Sequence, residues 1–243
     1  MSIRSISATA IAAASLVAIP FAASASNDQG SSGVVTYQVT IENLATGFQP
    51  LSPAGVVIHE AAVDVWSAGS PARAAVAAVA EDANLSIYVG TYSETRGVRE
   101  ALVGGAAPFG PGGHVTFEFE AKRNDRVSIV SMLVNTNDAF TGLDSVRLGN
   151  QTQVFEVGAY DAGTEVNNEL ASHIPGPAGN SHFVRDPEGA VIAAHGGIVG
   201  QPGGIDPAVH NWEGPWHRSR SPQSADQPQQ RSPLARQGYV RCP

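Results

Sequence analysis

Residues 127–134, Val-Ser-Ile-Val-Ser-Met-Leu-Val, carry apolar side chains at both odd and even positions. Successive side chains on a strand point to opposite faces, so such a strand needs cover on both sides and belongs in the middle of a sheet. Two other runs alternate. Val35, Tyr37, Val39 and Ile41 are interleaved with Thr36, Gln38, Thr40 and Glu42, and Val115, Phe117 and Phe119 with Thr116, Glu118 and Glu120. A period of two is that of a half-buried strand. Among these short apolar runs lie 26 Gly and 16 Pro in 243 residues, a loop-rich pattern that favours strands over helices. The expected fold class is all-β: an antiparallel β-sandwich of about eight strands with one or two short helices.

Further short strands are expected at residues 56–59, 143–148, 153–157 and 191–195, and one at Leu85, Ile87 and Val89. Ser70-Pro71 has the form of an N-cap followed by a first-turn proline. Ala72, Ala75, Val76, Val79 and Ala80 then share one helical face, which predicts the main helix over residues 70–82. Residues 94–103 read as a weak helical turn. Arg123-Asn124-Asp125 is a hairpin turn, and His59 a hydrogen-bonded core histidine rather than a ligand.

The central run ends in Asn135-Thr136-Asn137-Asp138-Ala139-Phe140-Thr141-Gly142, and a second polar loop follows two short strands later at Tyr160-Asp161-Ala162-Gly163-Thr164-Glu165. Two loops of this kind belong at one end of a sheet. Asp138, Asp161 and Glu165 would repel one another there unless a cation neutralised them. Calcium takes six to eight oxygens from carboxylates, carbonyls and amides, and Gly163 lets the backbone turn so that Asp161 and Glu165 face one point. The alternative is a plain turn with an Asx-turn beside it.

Thr136-Asn137-Asp138-Ala139-Phe140-Thr141-Gly142, Tyr160-Asp161-Ala162-Gly163-Thr164-Glu165, Ile174-Pro175-Gly176-Pro177 and His195-Gly196-Gly197-Ile198 through Asp206-Pro207 to Asn211-Trp212 occur in that order. In this order they resemble the spondin domain of F-spondin and mindin, over roughly residues 34–215. The resemblance implies an antiparallel sandwich with one structural calcium ion in the loops at one end, and an adhesion or interaction role. It places the metal ligands at Asp138, Asp161 and Glu165, the last being Glu where the animal pattern has Asp. The animal modules are braced by cysteines, whereas the one cysteine here is Cys242, so no internal disulfide can form.

Arg4, the apolar stretch from Ala10 to Phe21 and Ala23-Ser24-Ala25 form a signal peptide, cut near Ala25, which predicts a secreted or periplasmic protein with no membrane span. Residues 26–33 read as a flexible leader and residues 34–216 as the domain. Setting aside Arg4, the five tail arginines and Asp226, residues 26–216 hold 21 acidic and 8 basic side chains. That surface argues against nucleic acid and anionic lipid as partners.

After Trp212-Glu213-Gly214-Pro215 the family typically continues Val-Ala-x-Val-Thr-Ile, but this chain runs Trp216-His217-Arg218-Ser219-Arg220-Ser221. One choice among the degenerate codons for that hexapeptide, with a single G restored, reads Val-Ala-Pro-Val-Thr-Ile. Residues 217–243 are therefore expected to be a disordered tail, either out of frame or genuine, and a shifted frame leaves the sandwich without its closing strand.

Two function classes result. One is a non-enzymatic, calcium-stabilised extracellular module, monomeric, that binds an extracellular or cell-surface ligand. The other is a zinc-dependent hydrolase using His173, His182, His195 or His210. Against the second, the sequence contains no Gly-x-Ser-x-Gly and no His-Glu-x-x-His. The glycine-rich stretch 196–204 lacks the following helix and partner residue that a phosphate-binding loop requires.

Overall fold

In a computed structural model, which describes residues 33–45, 47–177, 184–198, 200, 202, 204–205 and 238–242, the first alternating run is β1 (Val34–Asn43), with Tyr37, Val39 and Ile41 buried and their neighbours on the outer face. The expected signal peptide, most of the leader, residues 206–216 of the domain and the motif at residues 206–212 lie outside the described residues. β4 (His114–Lys122) pairs antiparallel with β1 from Val34 to Glu42, Tyr37 opposite Phe119 with their rings stacked at 5.8 Å. These two strands make one half of a four-stranded sheet.

The second sheet is six-stranded. β2 (Ala54–His59), β3 (Val98–Gly104), β5 (Arg126–Met132), β6 (Ala139–Arg147), β8 (Ala159–Asp161) and β9 (Ala193–Ala194) lie in the order β3-β2-β5-β6-β8-β9. β5 is central, as its composition requires. Val127 and Ile129 face the four-stranded sheet and pack with Val39, Ile41, Val56, Ile58 and Phe119. Val130 faces the other way, into a second core with Val57, Trp66, Val76, Val79, Tyr88, Tyr92 and Phe140. The sandwich thus carries a third layer, two helices laid on the outer face of the six-stranded sheet. The serines of β5 are satisfied in place: Ser128 Oγ bonds His59 Nε2 at 2.9 Å, and Ser131 Oγ donates to the Ser52 carbonyl at 2.8 Å. His59 is fully buried with Nδ1 on the Glu60 carbonyl, so it is the core histidine expected.

Helix α1 (Ala74–Asp82) buries Ala75, Val76, Val79 and Ala80. It begins later than residue 70, and Ser70 does not cap it. The Gly69 amide and the Ser70 carbonyl are both bonded to Ile192, which holds this segment out of the helix until Arg73. The helix ends at Ala83 in the left-handed conformation, with Asn84 N bonded back to the Ala78 carbonyl, the Schellman closure. Asn84 Oδ1 then accepts from Ile87 N at 3.2 Å and caps α2 (Leu85–Ser93). A strand at Leu85, Ile87 and Val89 was expected from alternation, but the buried face is Tyr88 and Tyr92, spaced i, i+4. The helical turn expected over residues 94–103 is instead β3, whose backbone completes the free edge of β2.

β7 (Gln153–Val157) matches the expected strand, whereas β6 starts at Ala139, inside the stretch expected as a loop, because Ala139, Phe140, Thr141 and Gly142 are buried against β5 and β8. The strand expected over residues 191–195 shortens to β9. β10 (Gly238–Cys242) lies between β1 and β7, antiparallel to both, and completes the order β4-β1-β10-β7. That part of the tail is therefore a strand and not disordered. Backbone bonding to two facing edges requires no particular side-chain pattern.

Candidate functional site

Asp138 stands at the junction between β5 and β6, in a turn that Thr136 holds: its hydroxyl donates to the Leu133 carbonyl at 2.6 Å and accepts from Ala139 N at 3.1 Å. Pairing of Ala139 with Asp161 brings the second loop alongside. Gly163 makes the return possible. Its φ is +68°, and a Cβ there would lie 2.8 Å from the Ala190 carbonyl carbon, so a side chain would clash with the segment that packs across the loop.

Asp138 is fully buried. Its Oδ2 accepts from Thr164 N at 2.9 Å, Thr164 Oγ1 at 3.2 Å and Glu165 N at 3.0 Å. Its Oδ1 is buried with no hydrogen-bond partner among the described residues. Burial, with repulsion from Asp161, pushes its pKa up to about 6 against the pull of the three donors. Asp161 is half-buried and spends its oxygens on Gly163 N at 2.7 Å and on the Asn167 amide.

Glu165 is 2% exposed. Its Oε1 accepts from Arg185 Nη1 at 2.8 Å, and its Oε2 is a second buried oxygen with no partner among the described residues. Burial, with repulsion from Asp138, Asp82 and Asp186, raises its pKa to about 7 even with the arginine in contact. That one cation serves three acids: Arg185 also meets Glu81 and, at 2.9 Å, Asp82. The sequence reading did not single out Arg185. It reaches the site because residues 163–166 are bonded to residues 186–190, with Val166 N on the Asp186 carbonyl and Glu188 N on the Thr164 carbonyl, a pairing of two irregular segments that no periodicity signals.

The loop motifs of the sequence converge here. Gly176 packs so close that a Cβ would lie 2.1 Å from the Val134 carbonyl oxygen. Asn137 Nδ2 reaches the carbonyls of Glu165 and Val166 at 3.3 and 3.2 Å. His195, its pKa lowered by burial against the pull of Asp161 and Glu169, borders a cavity of about 30 Å³ with Asn135, Asn137 and Asn167. A space of that size holds about one water molecule and no substrate. His173 bonds Ser172 in a 3-10 turn at Ala171–His173 and does not line that cavity. His182 and His210 lie outside the described residues. Among the described residues no three His, Cys, Asp or Glu side chains stand grouped as a metal site. The oxygens of Asp138, Asp161 and Glu165 suit a hard cation in kind, and two of them are buried without partners.

Two stacked antiparallel sheets, helix-covered on one outer face and closed at one end by a buried acidic loop cluster, define a β-sandwich module whose distinctive chemistry is carboxylate. The Spondin_N family model matches residues 48–173, more than half of the chain, and the chain belongs to that family. It is an extracellular spondin-type module of a generally non-enzymatic family. All three candidate ligands fall within the matched span, and Arg185 and His195 beyond it. No curated protein matches the chain. No helix among the described residues is long and apolar enough to cross a membrane.

Proposed function

We propose that this chain is a secreted or periplasmic, non-catalytic interaction module whose loop end is organised by one structural calcium ion held by Asp138, Asp161 and Glu165. The observation that supports it most is the fully buried Asp138, which keeps one oxygen without a partner beside a second carboxylate. Leaving buried acceptors unsatisfied is costly. When bound, the ion supplies two positive charges where Arg185 alone is shared among three acids. The ordered loops then present a fixed surface to an extracellular or cell-surface ligand, which is the adhesion role the family resemblance implies.

Thermal melting of the full chain tests the reading. At calcium about a hundredfold above its dissociation constant, stabilisation is about 2.7 kcal/mol, an increase of roughly 5–10 °C over chelator for a domain of this size. Zinc at the same concentration leaves the midpoint unchanged. Asp138→Asn keeps an acceptor for Thr164 and Glu165 and removes the calcium response. Identical melting of the native chain in calcium and in chelator overturns the proposal.

A further inference from the structure

At the opposite end of β6 the charge reverses. Lys122, Arg123, Arg126 and Arg147 are half of the eight basic residues between positions 26 and 216, and all four lie on the β4–β5 turn or at the paired ends of β5 and β6. Nine residues of β6 separate this corner from Asp138, about 30 Å at the strand rise per residue. Among the described residues no carboxylate pairs with any of the four, whereas Arg73, Arg99 and Arg185 are all in salt bridges. Arg123, Asn124, Arg147, Gly149, Asn150 and Gln153 line an open cavity of about 400 Å³, within the range of small-ligand sites.

The corner is organised in advance. Asn124 sits at φ +78° in a turn closed by Asp125 N on the Lys122 carbonyl at 3.1 Å. Its Oδ1 accepts from Arg147 Nε at 3.1 Å and from Nη2, which fixes the guanidinium. Leu148 N and O are both bonded to the same turn, and Tyr37 Oη donates to the Gly149 carbonyl at 3.0 Å, so the wall is tied to the core. Gln153 Oε1 is buried with no partner among the described residues. An orphan acceptor beside two guanidinium groups calls for a ligand that brings both an anion and a hydroxyl donor.

We propose that this cavity binds an acidic saccharide, its carboxylate or sulfate ester on Arg123 and Arg147 and a ring hydroxyl donating to Gln153 Oε1. A long polyanion would be repelled by the rest of the domain, because the 21 acids of residues 26–216 face only four bases outside this corner. A nucleotide would find no aromatic side chain among the described lining residues on which to stack. A single charged sugar meets the basic corner alone.

Titration of the full chain with digalacturonate and with a sulfated disaccharide, followed by calorimetry at low salt, tests this. At least one of the two binds, lactose does not, and Arg123→Gln and Arg147→Gln each weaken binding about tenfold or more with melting unchanged. Arg123→Lys restores part of the loss. Gln153→Leu weakens the disaccharide but not inorganic sulfate, and Asp138→Asn changes neither, which keeps this site separate from the calcium site. Absence of binding by both acidic disaccharides, equal affinity in the arginine variants, or inorganic sulfate binding as tightly as the sugars, overturns the proposal.

Discussion

Asp138 combines a buried carboxylate, three donors on one oxygen and none on the other, and the pKa that results carries a sign that can be measured. Its pKa rises from an ordinary 3.8 to about 6 in the folded chain, first because of burial and then because of Asp161. The folded state therefore holds a proton between those values that the unfolded chain releases. Stability gained from that proton is present at low pH and is lost as pH rises through about 6. Glu165, raised to about 7, acts in the same direction. In chelator the melting temperature should increase from about pH 8 to about pH 5. The effect from Asp138 is on the order of 2–3 kcal/mol. Asp138→Asn should reduce the slope to the part that Glu165 contributes, and calcium should flatten it in the native chain by taking the place of the proton. A stability that falls on acidification over this range would contradict the burial argument. The motif predicts Glu165 as a metal ligand, and the structure ties it to Arg185, a contact the motif does not contain.

At the level of elements, β6 joins the two chemically distinct ends of the domain and is held by an aromatic cluster. Phe140 is fully buried, stacked on Tyr160 at 5.6 Å and edge-on to Trp66 at 5.1 Å. Trp66 in turn donates from Nε1 to the Leu143 carbonyl at 3.2 Å. Phe140→Ala leaves a cavity between the sheet and the helical layer, and a loss of about 3–5 kcal/mol is expected, read as a lower urea midpoint at unchanged slope. Because Asp138 lies two residues away, calcium affinity should fall with it, while binding at the basic corner persists at temperatures where the variant is folded. Helix α2 shows how element identity escaped local reading. Tyr88 and Tyr92 are strand-favouring residues, yet the cap at Asn84 and the core facing Val57 and Val130 make their segment a helix.

Across the whole molecule, the four-stranded sheet depends on the far end of the chain. β10 fills the space between β1 and β7 with Thr40 opposite Arg241 and Phe155 opposite Val240. Truncation before Gly238 should open two facing strand edges. Amides of residues 40–43 and 153–157 should then exchange faster, and size-exclusion chromatography should show association that the full chain lacks. Unchanged exchange at those amides would show that β10 contributes nothing to the sheet.

What the sequence determined by itself was the sandwich, the centrality of β5, the half-buried faces of β1 and β4 and the two acidic loops, because a strand's period of two records how many of its faces are covered. Ser70, Leu85 and the run at 94–103 misled for a shared reason: the partner that decided each one, Ile192, the helical core or the edge of β2, lies far away in the chain. Only the tertiary structure decided that Arg185 reaches Glu165, that Asp138 keeps an oxygen unpaired among the described residues, and that Arg123 and Arg147 border one cavity. Those facts depend on segments joined across distances over which a linear pattern carries no periodicity, and on burial, which exists only once both sheets and the helical layer are in place.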